Sequence, residues 1–229
     1  MKKAFIPFLG LVLFLAILTR WPARLEADES NGAPPRLTAT SSNVLAELQQ
    51  ALSGTTSVLT DFIQVKQMAV MRQKVIIKGQ LAFQQPNRFA WHVIEPIRYN
   101  LILQGTTLHQ WDETTGQEQQ LTMADNPIFA MVNRQLSAWF GGQFEDLLKD
   151  FDARIDPAVD RSVIFTPNQN SFARKAIKQI VLTFREDRRY LETIQIEELA
   201  GDQTLMTFTN TVLNSPIPSG VWEAKPHGR

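Results

Sequence analysis

From Val75 to Leu103 large apolar side chains return at every second position, and proline cuts the run twice, at Pro86 and Pro96. Val75, Ile77, Leu81 and Phe83 share one parity; Phe89, Trp91 and Val93 continue the alternation after the first proline, and Leu101 and Leu103 resume it after the second. Lys74, Lys78, Gln80 and Gln84 occupy the opposite parity. A repeat of two suits an extended strand, whose successive side chains point to opposite faces, and cannot line one face of a helix. Each proline lacks the N–H that a ladder needs, so each marks a strand end. The stretch 60–121 is therefore predicted to form antiparallel strands, apolar on one face and wet on the other. Asp112-Glu-Thr-Thr-Gly116 supplies a hairpin turn after Trp111.

Helical patterns flank and interrupt these strands. Ser42 or Asn43 can cap a first helix with Val44, Leu45, Leu48 and Leu52 on one face, stopped by Gly54. Asn126 as cap and Pro127 at the first helical position open a second, through Ile128, Phe129, Met131, Val132, Leu136, Trp139 and Phe140 to Gly141-Gly142. That helix is apolar over much of its circumference and so must be covered on more than one side. A short helix from Gln143 to Phe151 is expected next, then strands over Ile177–Phe184, Tyr190–Glu197 and Thr204–Val212. No repeat of 20 to 50 residues is found.

The first residues address the chain rather than fold it. Lys2 and Lys3 precede fifteen apolar residues, Ala4 to Leu18, fewer than the roughly twenty that span a bilayer. Residues 1–27 read as a signal peptide ending at Leu25-Glu26-Ala27, or, if uncleaved, as an anchor; either predicts export to the periplasm. Residues 28–40, with Asn31-Gly32 and Pro34-Pro35, read as a flexible linker, and 41–229 as one folded domain.

Composition removes several classes of function. Lysine plus arginine number 23, as do aspartate plus glutamate, so no net field draws the chain to nucleic acid. With no cysteine, there is no disulfide, thiolate metal site or cysteine nucleophile, and the chain cannot itself be a lipid-modified lipoprotein. The three histidines, His92, His109 and His227, lie far apart and in no metal-ligand spacing. There is no Gly-x-Ser-x-Gly elbow, phosphate loop or dinucleotide fingerprint. No enzyme, metal or cofactor is expected.

The stretch Gly79-Gln-Leu-Ala-Phe-Gln-Gln-Pro-Asn-Arg-Phe-Ala-Trp-His, followed by Glu95-Pro96 and Gly105, resembles the bacterial periplasmic outer-membrane lipoprotein carriers of the LolA type. Phe62-Ile-Gln64 resembles the first-strand Phe-x-Gln of that family, and Asn126-Pro127-Ile-Phe-Ala-Met-Val the helix that plugs its barrel. Val221-Trp-Glu-Ala-Lys-Pro226-His-Gly228 resembles its closing strand and Pro-x-Gly, so the resemblance covers roughly residues 41 to 228.

The resemblance implies an α+β fold, an incomplete antiparallel β-barrel (half-barrel) wrapped around helices. Leu81, Phe83, Phe89, Trp91, Leu101 and Leu103 would line its concave face, with Ile128, Met131 and Val132 facing them from the helix, around a cavity for acyl chains. Each buried CH₂ contributes about 0.8 kcal/mol, so such a cavity could keep a lipidated cargo in water. The implied function is a monomeric periplasmic carrier that takes a lipoprotein or other lipid from an inner-membrane release complex to an outer-membrane acceptor. The alternative is a periplasmic sensor or regulatory domain of the same fold that binds lipid or peptide and a membrane partner. In the family an arginine precedes the first proline and latches the lid; here that position is Gln85, with Arg88 nearby, and Gln104 stands where an Asp is expected. These departures favour a divergent member with another lipid cargo, or a dedicated carrier.

Overall fold

The computed structural model describes residues 39–71, 73–122, 135–169 and 171–225. Helix α1 (Ala39–Ser53) is followed by strands β1 (Ser57–Gln67), β2 (Lys74–Gln84), β3 (Arg88–Glu95), β4 (Tyr99–Gln104), β5 (Thr107–Asp112) and β6 (Glu118–Thr122). Helical turns at 135–141 and Phe144–Leu147 come next, then β7 (Phe151–Asp156), β8 (Val159–Pro167), β9 (Ile177–Phe184), β10 (Leu191–Glu198) and β11 (Gln203–Leu213). Among the described residues eleven strands join one sheet in the order β6-β5-β4-β3-β2-β1-β11-β10-β9-β8-β7. The pairs are antiparallel, and Phe62 opposite Phe208 marks the junction where β1 meets β11. Strands β6 and β7 end the order without pairing to each other, so the sheet stays open as an incomplete barrel.

Alternation decides which face is buried. In β9, Ile177, Ile180, Leu182 and Phe184 are buried between more exposed neighbours. These residues belong to one large cluster with Leu45, Leu48 and Leu52 of α1 and with Leu136, Trp139 and Phe140. The Phe140 ring lies 6.2 Å from Phe83 of β2 and 5.5 Å from Phe208 of β11. Phe144 similarly lies 6.2 Å from Phe165 of β8 and 6.3 Å from Phe184 of β9. Helices thus plug the concave face, giving the α+β half-barrel that the resemblance implies. At Gly142 the backbone takes a φ of +72°, and its N–H donates to the Ala138 carbonyl at 3.1 Å, closing the helical segment as a C-terminal glycine does. A Cβ there would stand 2.9 Å from that of Leu52, so the same glycine lets the segment approach α1.

Several expectations are corrected. Helix α1 already runs from Ala39, so Ser42 and Asn43 lie inside it rather than capping it. The helix expected over Gln143–Phe151 is only Phe144–Leu147, because Phe151 already starts β7. β7 and β8 had no counterpart in the sequence reading. Val221-Trp222 forms no closing strand; Ser219–Trp222 is a turn of 3-10 helix.

The outer face is not uniformly wet either. Ala82, Ala90 and Ile102, on the parity assigned to water, are fully buried with Trp111 beneath Trp222 and Ala224. The C-terminal segment straps across them through main-chain carbonyls. His92 Nε2 lies 2.7 Å from the Val221 carbonyl, Gln104 Nε2 donates to Trp222 O at 2.9 Å, and Asn100 Nδ2 to Ala224 O at 2.6 Å.

Candidate functional site

The six strand residues singled out in the sequence form two rows of three on the concave face. Phe83 pairs with Phe89 and Phe89 with Leu103; beside them Leu81 pairs with Trp91 and Trp91 with Leu101. None is more than 4% exposed. Opposed residues of an antiparallel ladder point to the same side, so strand register alone brings these six together. Ile128, Met131 and Val132 lie outside the described residues.

The rows extend to residues that the sequence reading did not assign to the site. Leu108 follows Leu103 across β5, and Phe62 of β1 lies against Trp91 with 4.3 Å between ring centroids. Phe208 comes from the far end of the chain and packs on Phe140. Parity alone did not mark Phe62, because the opposite face of β1 carries Leu59, Ile63 and Val65 while its own carries Thr60, Gln64 and Lys66. Nothing local could place Phe208, because its position depends on β11 docking against β1.

Gln85 and Arg88, the two candidates for a latch, have parted. The Gln85 amide donates to the Thr55 carbonyl at 2.9 Å, tying the β2–β3 turn to the end of α1, and it sits 3.6 Å from where a Cβ on Gly141 would stand. Arg88 points to the opposite face, donates to Gln84 Oε1 at 3.2 Å and lies 4.1 Å over the Trp222 ring. Of the two, only Gln85 adjoins the helical segment.

Toward the β1–β2 turn the concave face becomes polar. Lys66 is buried, with its ammonium 2.7 Å from Glu198 and 3.7 Å from Asp202. On β4, burial pushes the Tyr99 hydroxyl well above the usual tyrosine range, and the nearby Asp112 carboxylate adds to the rise. Among the described residues no group of three or more His, Asp or Glu could hold a metal ion. What the arrangement offers is a broad apolar wall of aromatic and branched side chains, bounded by polar groups at one end.

The family model described as "Outer membrane lipoprotein carrier protein LolA" matches residues 53–225. The chain belongs to the LolA family. Relatives in that family include the outer-membrane lipoprotein carrier protein of Coxiella burnetii, 23% identical over 189 residues, covering 81% of this chain and 84% of the relative. The carrier protein of Cupriavidus taiwanensis is 26% identical over 176 residues, covering 75% and 78%. Among solved structures, a chain of the Pseudomonas aeruginosa MucA/MucB complex superposes with a TM-score of 0.50 at 15% identity, over 81% of this chain and 61% of that one. This LolA-family chain thus shares the fold with a protein of greater length.

Proposed function

We propose that this protein is a periplasmic carrier that shelters the acyl chains of a lipoprotein or another lipid and moves it from the inner toward the outer membrane. The observation that carries the reading is the pair of apolar rows, Phe83–Phe89–Leu103 and Leu81–Trp91–Leu101, on the concave face of a sheet left open between β6 and β7. An open sheet can part from its plugging helices without breaking a ladder, so the same wall can exchange helix contacts for acyl chains. Aromatic and leucine side chains suit that exchange because their stabilisation scales with area removed from water and needs no fixed direction. Leu81, Phe83, Phe89, Trp91, Leu101 and Leu103 would line the cavity, with Ile128, Met131 and Val132 opposite and Gln85 at the latch. No catalytic step is needed. Cargo would be received from an inner-membrane release complex and passed to an outer-membrane acceptor, and the carrier would work as a monomer.

Native mass spectrometry of the exported protein, purified without detergent, tests this. The expected result is a monomer whose mass begins near Asp28, with one lipid or lipopeptide bound. A lipid-free chain that refuses added lipopeptide would sink the carrier reading.

A regulatory role is the second reading, supported by the outer face. Ile76, 52% exposed, pairs with Val65, which pairs with Leu205, 42% exposed, with Ile63 beside them at 41%. Such an apolar strip suits a protein partner, and the P. aeruginosa chain of like fold was solved in a two-protein complex. Retention of residues 1–27 in the exported protein, with the chain fixed at the inner membrane, would favour this reading over a shuttle.

A further inference from the structure

The concave face of β1 changes character along its length. Val58 and Phe62 face the apolar rows, whereas Gln64 and Lys66 follow them toward the β1–β2 turn. Gln64 has no accessible surface, and neither its amide nitrogen nor its amide oxygen has a hydrogen-bond partner among the described residues. Thr204 of β11 is 1% exposed, and its hydroxyl also lacks a partner there. The ladder sets Gln64 opposite Met206 and Lys66 opposite Thr204, so Gln64 and Thr204 are diagonal neighbours on one face. Buried polar side chains are almost always paired, and an unpaired one bears the full cost of leaving water. Two such groups, diagonal neighbours where the face turns from apolar to polar, point to a partner supplied from outside the chain.

Their chemistry narrows that partner. The amide of Gln64 offers a donor and an acceptor, and the hydroxyl of Thr204 offers both. Neither carries charge. Lys66, opposite Thr204 in the ladder, is already answered by Glu198 at 2.7 Å and Asp202 at 3.7 Å, and these carboxylates would oppose a phosphate. A neutral carbonyl, accepting from Gln64 or Thr204, is the group that fits.

We propose that Gln64 and Thr204 bind the ester or amide linkage that joins acyl chains to the rest of the ligand, with the chains lying past Phe62 toward Phe83 and Phe89. This rests on the carrier reading and deepens it: the site fixes the ligand's direction in the half-barrel and selects acylated over simply apolar molecules.

The test compares three probes on the detergent-free mature chain: a diacylglycerol, the dialkyl ether glycerol of equal chain length, and diphenylhexatriene, which has no polar group. The wild type is expected to prefer ester over ether by about tenfold, the worth of one well-made hydrogen bond. Gln64→Leu and Thr204→Val should each erase most of that preference while leaving diphenylhexatriene binding within about twofold. Gln64→Leu should also unfold no earlier than the wild type, since an unpaired amide gives way to an apolar group. Equal ester and ether affinities in the wild type, or a preference that survives both substitutions, overturn the proposal, as does tighter binding of phosphatidylglycerol that depends on Lys66. Should Gln64→Leu fail to fold, the wild-type comparison and Thr204→Val still decide. If the wild type ignores diphenylhexatriene as well, the carrier reading itself falls, which is a separate result.

Discussion

Gly79 lies opposite Phe62 in the β1–β2 ladder with the Phe62 ring covering it, so that a Cβ on Gly79 would come within 2.7 Å of that ring and would collide with the His92 carbonyl behind it. The register between β2 and β3 shifts at this point, between Lys78 and Gly79. Backbone and ring therefore close on the glycine from both sides. Gly79→Ala is expected to lower stability by about 2–3 kcal/mol, as overpacking of a tight core does. Urea unfolding measures it, and a loss under about 0.5 kcal/mol would show that the strands yield there.

On the outer face, Trp222 covers Ala82, Ala90 and Ile102 while Arg88 stacks on its ring at 4.1 Å. Trp222→Ala should cost about 3–4 kcal/mol, because it uncovers an apolar patch and loosens the strap. Arg88→Ala should cost about 0.5–1 kcal/mol, the worth of a partly solvated cation–π contact. The two substitutions combined should fall short of additivity, since Arg88 acts through Trp222. Thermal or urea unfolding of the double-mutant cycle reads this directly.

Gln85 holds the Thr55 carbonyl at 2.9 Å beside the end of the helical segment 135–141. Gln85→Leu should cost about 1 kcal/mol of stability. If Gln85 latches the plug, the same change should release a bound apolar probe several-fold faster in stopped-flow fluorescence. Unaltered release alongside reduced stability would confine Gln85 to holding α1.

Tyr99 gives a pH signature with a definite sign. Its folded-state pKa lies above the ordinary value of 10.0, through burial first and the Asp112 carboxylate second. A raised pKa means that the fold favours the neutral phenol, so this contribution is fully present below about pH 10 and is lost as pH rises beyond it. Tyr99→Phe should match the wild type near pH 7, since the buried hydroxyl has no partner among the described residues, and should exceed it at pH 11. Urea midpoints at the two pH values check this; a wild type no less resistant than the variant at pH 11 would contradict it.

Much of the half-barrel was legible because strand parity is a local property. The alternation through Leu81, Phe83, Phe89, Trp91, Leu101 and Leu103 put all six residues on one face, and each is buried there. The two prolines ended β2 and β3 as expected, with Pro86 and Pro96 just beyond Gln84 and Glu95. β7 and β8 escaped for different reasons. Phe151, Ala153 and Ile155 do alternate with Asp152, Arg154 and Asp156, but the helical reading of the preceding residues absorbed the first of them. Val163, Ile164 and Phe165 form a continuous apolar run, and so short a run does not separate strand from helix.

The sequence by itself determined the strands from β2 to β4, which way their side chains point and where prolines end them, since periodicity and missing proline N–H groups act within a few residues. Only the tertiary structure decided that β1 pairs with β11, that the C-terminal strap buries Ala82, Ala90 and Ile102, and that Gln64 and Thr204 become diagonal neighbours, both buried with side-chain polar atoms that lack a partner among the described residues. Those outcomes depend on contacts between residues more than a hundred positions apart. Hydrophobic burial drives such contacts without specifying partners, and ladder register selects them once the chain has closed.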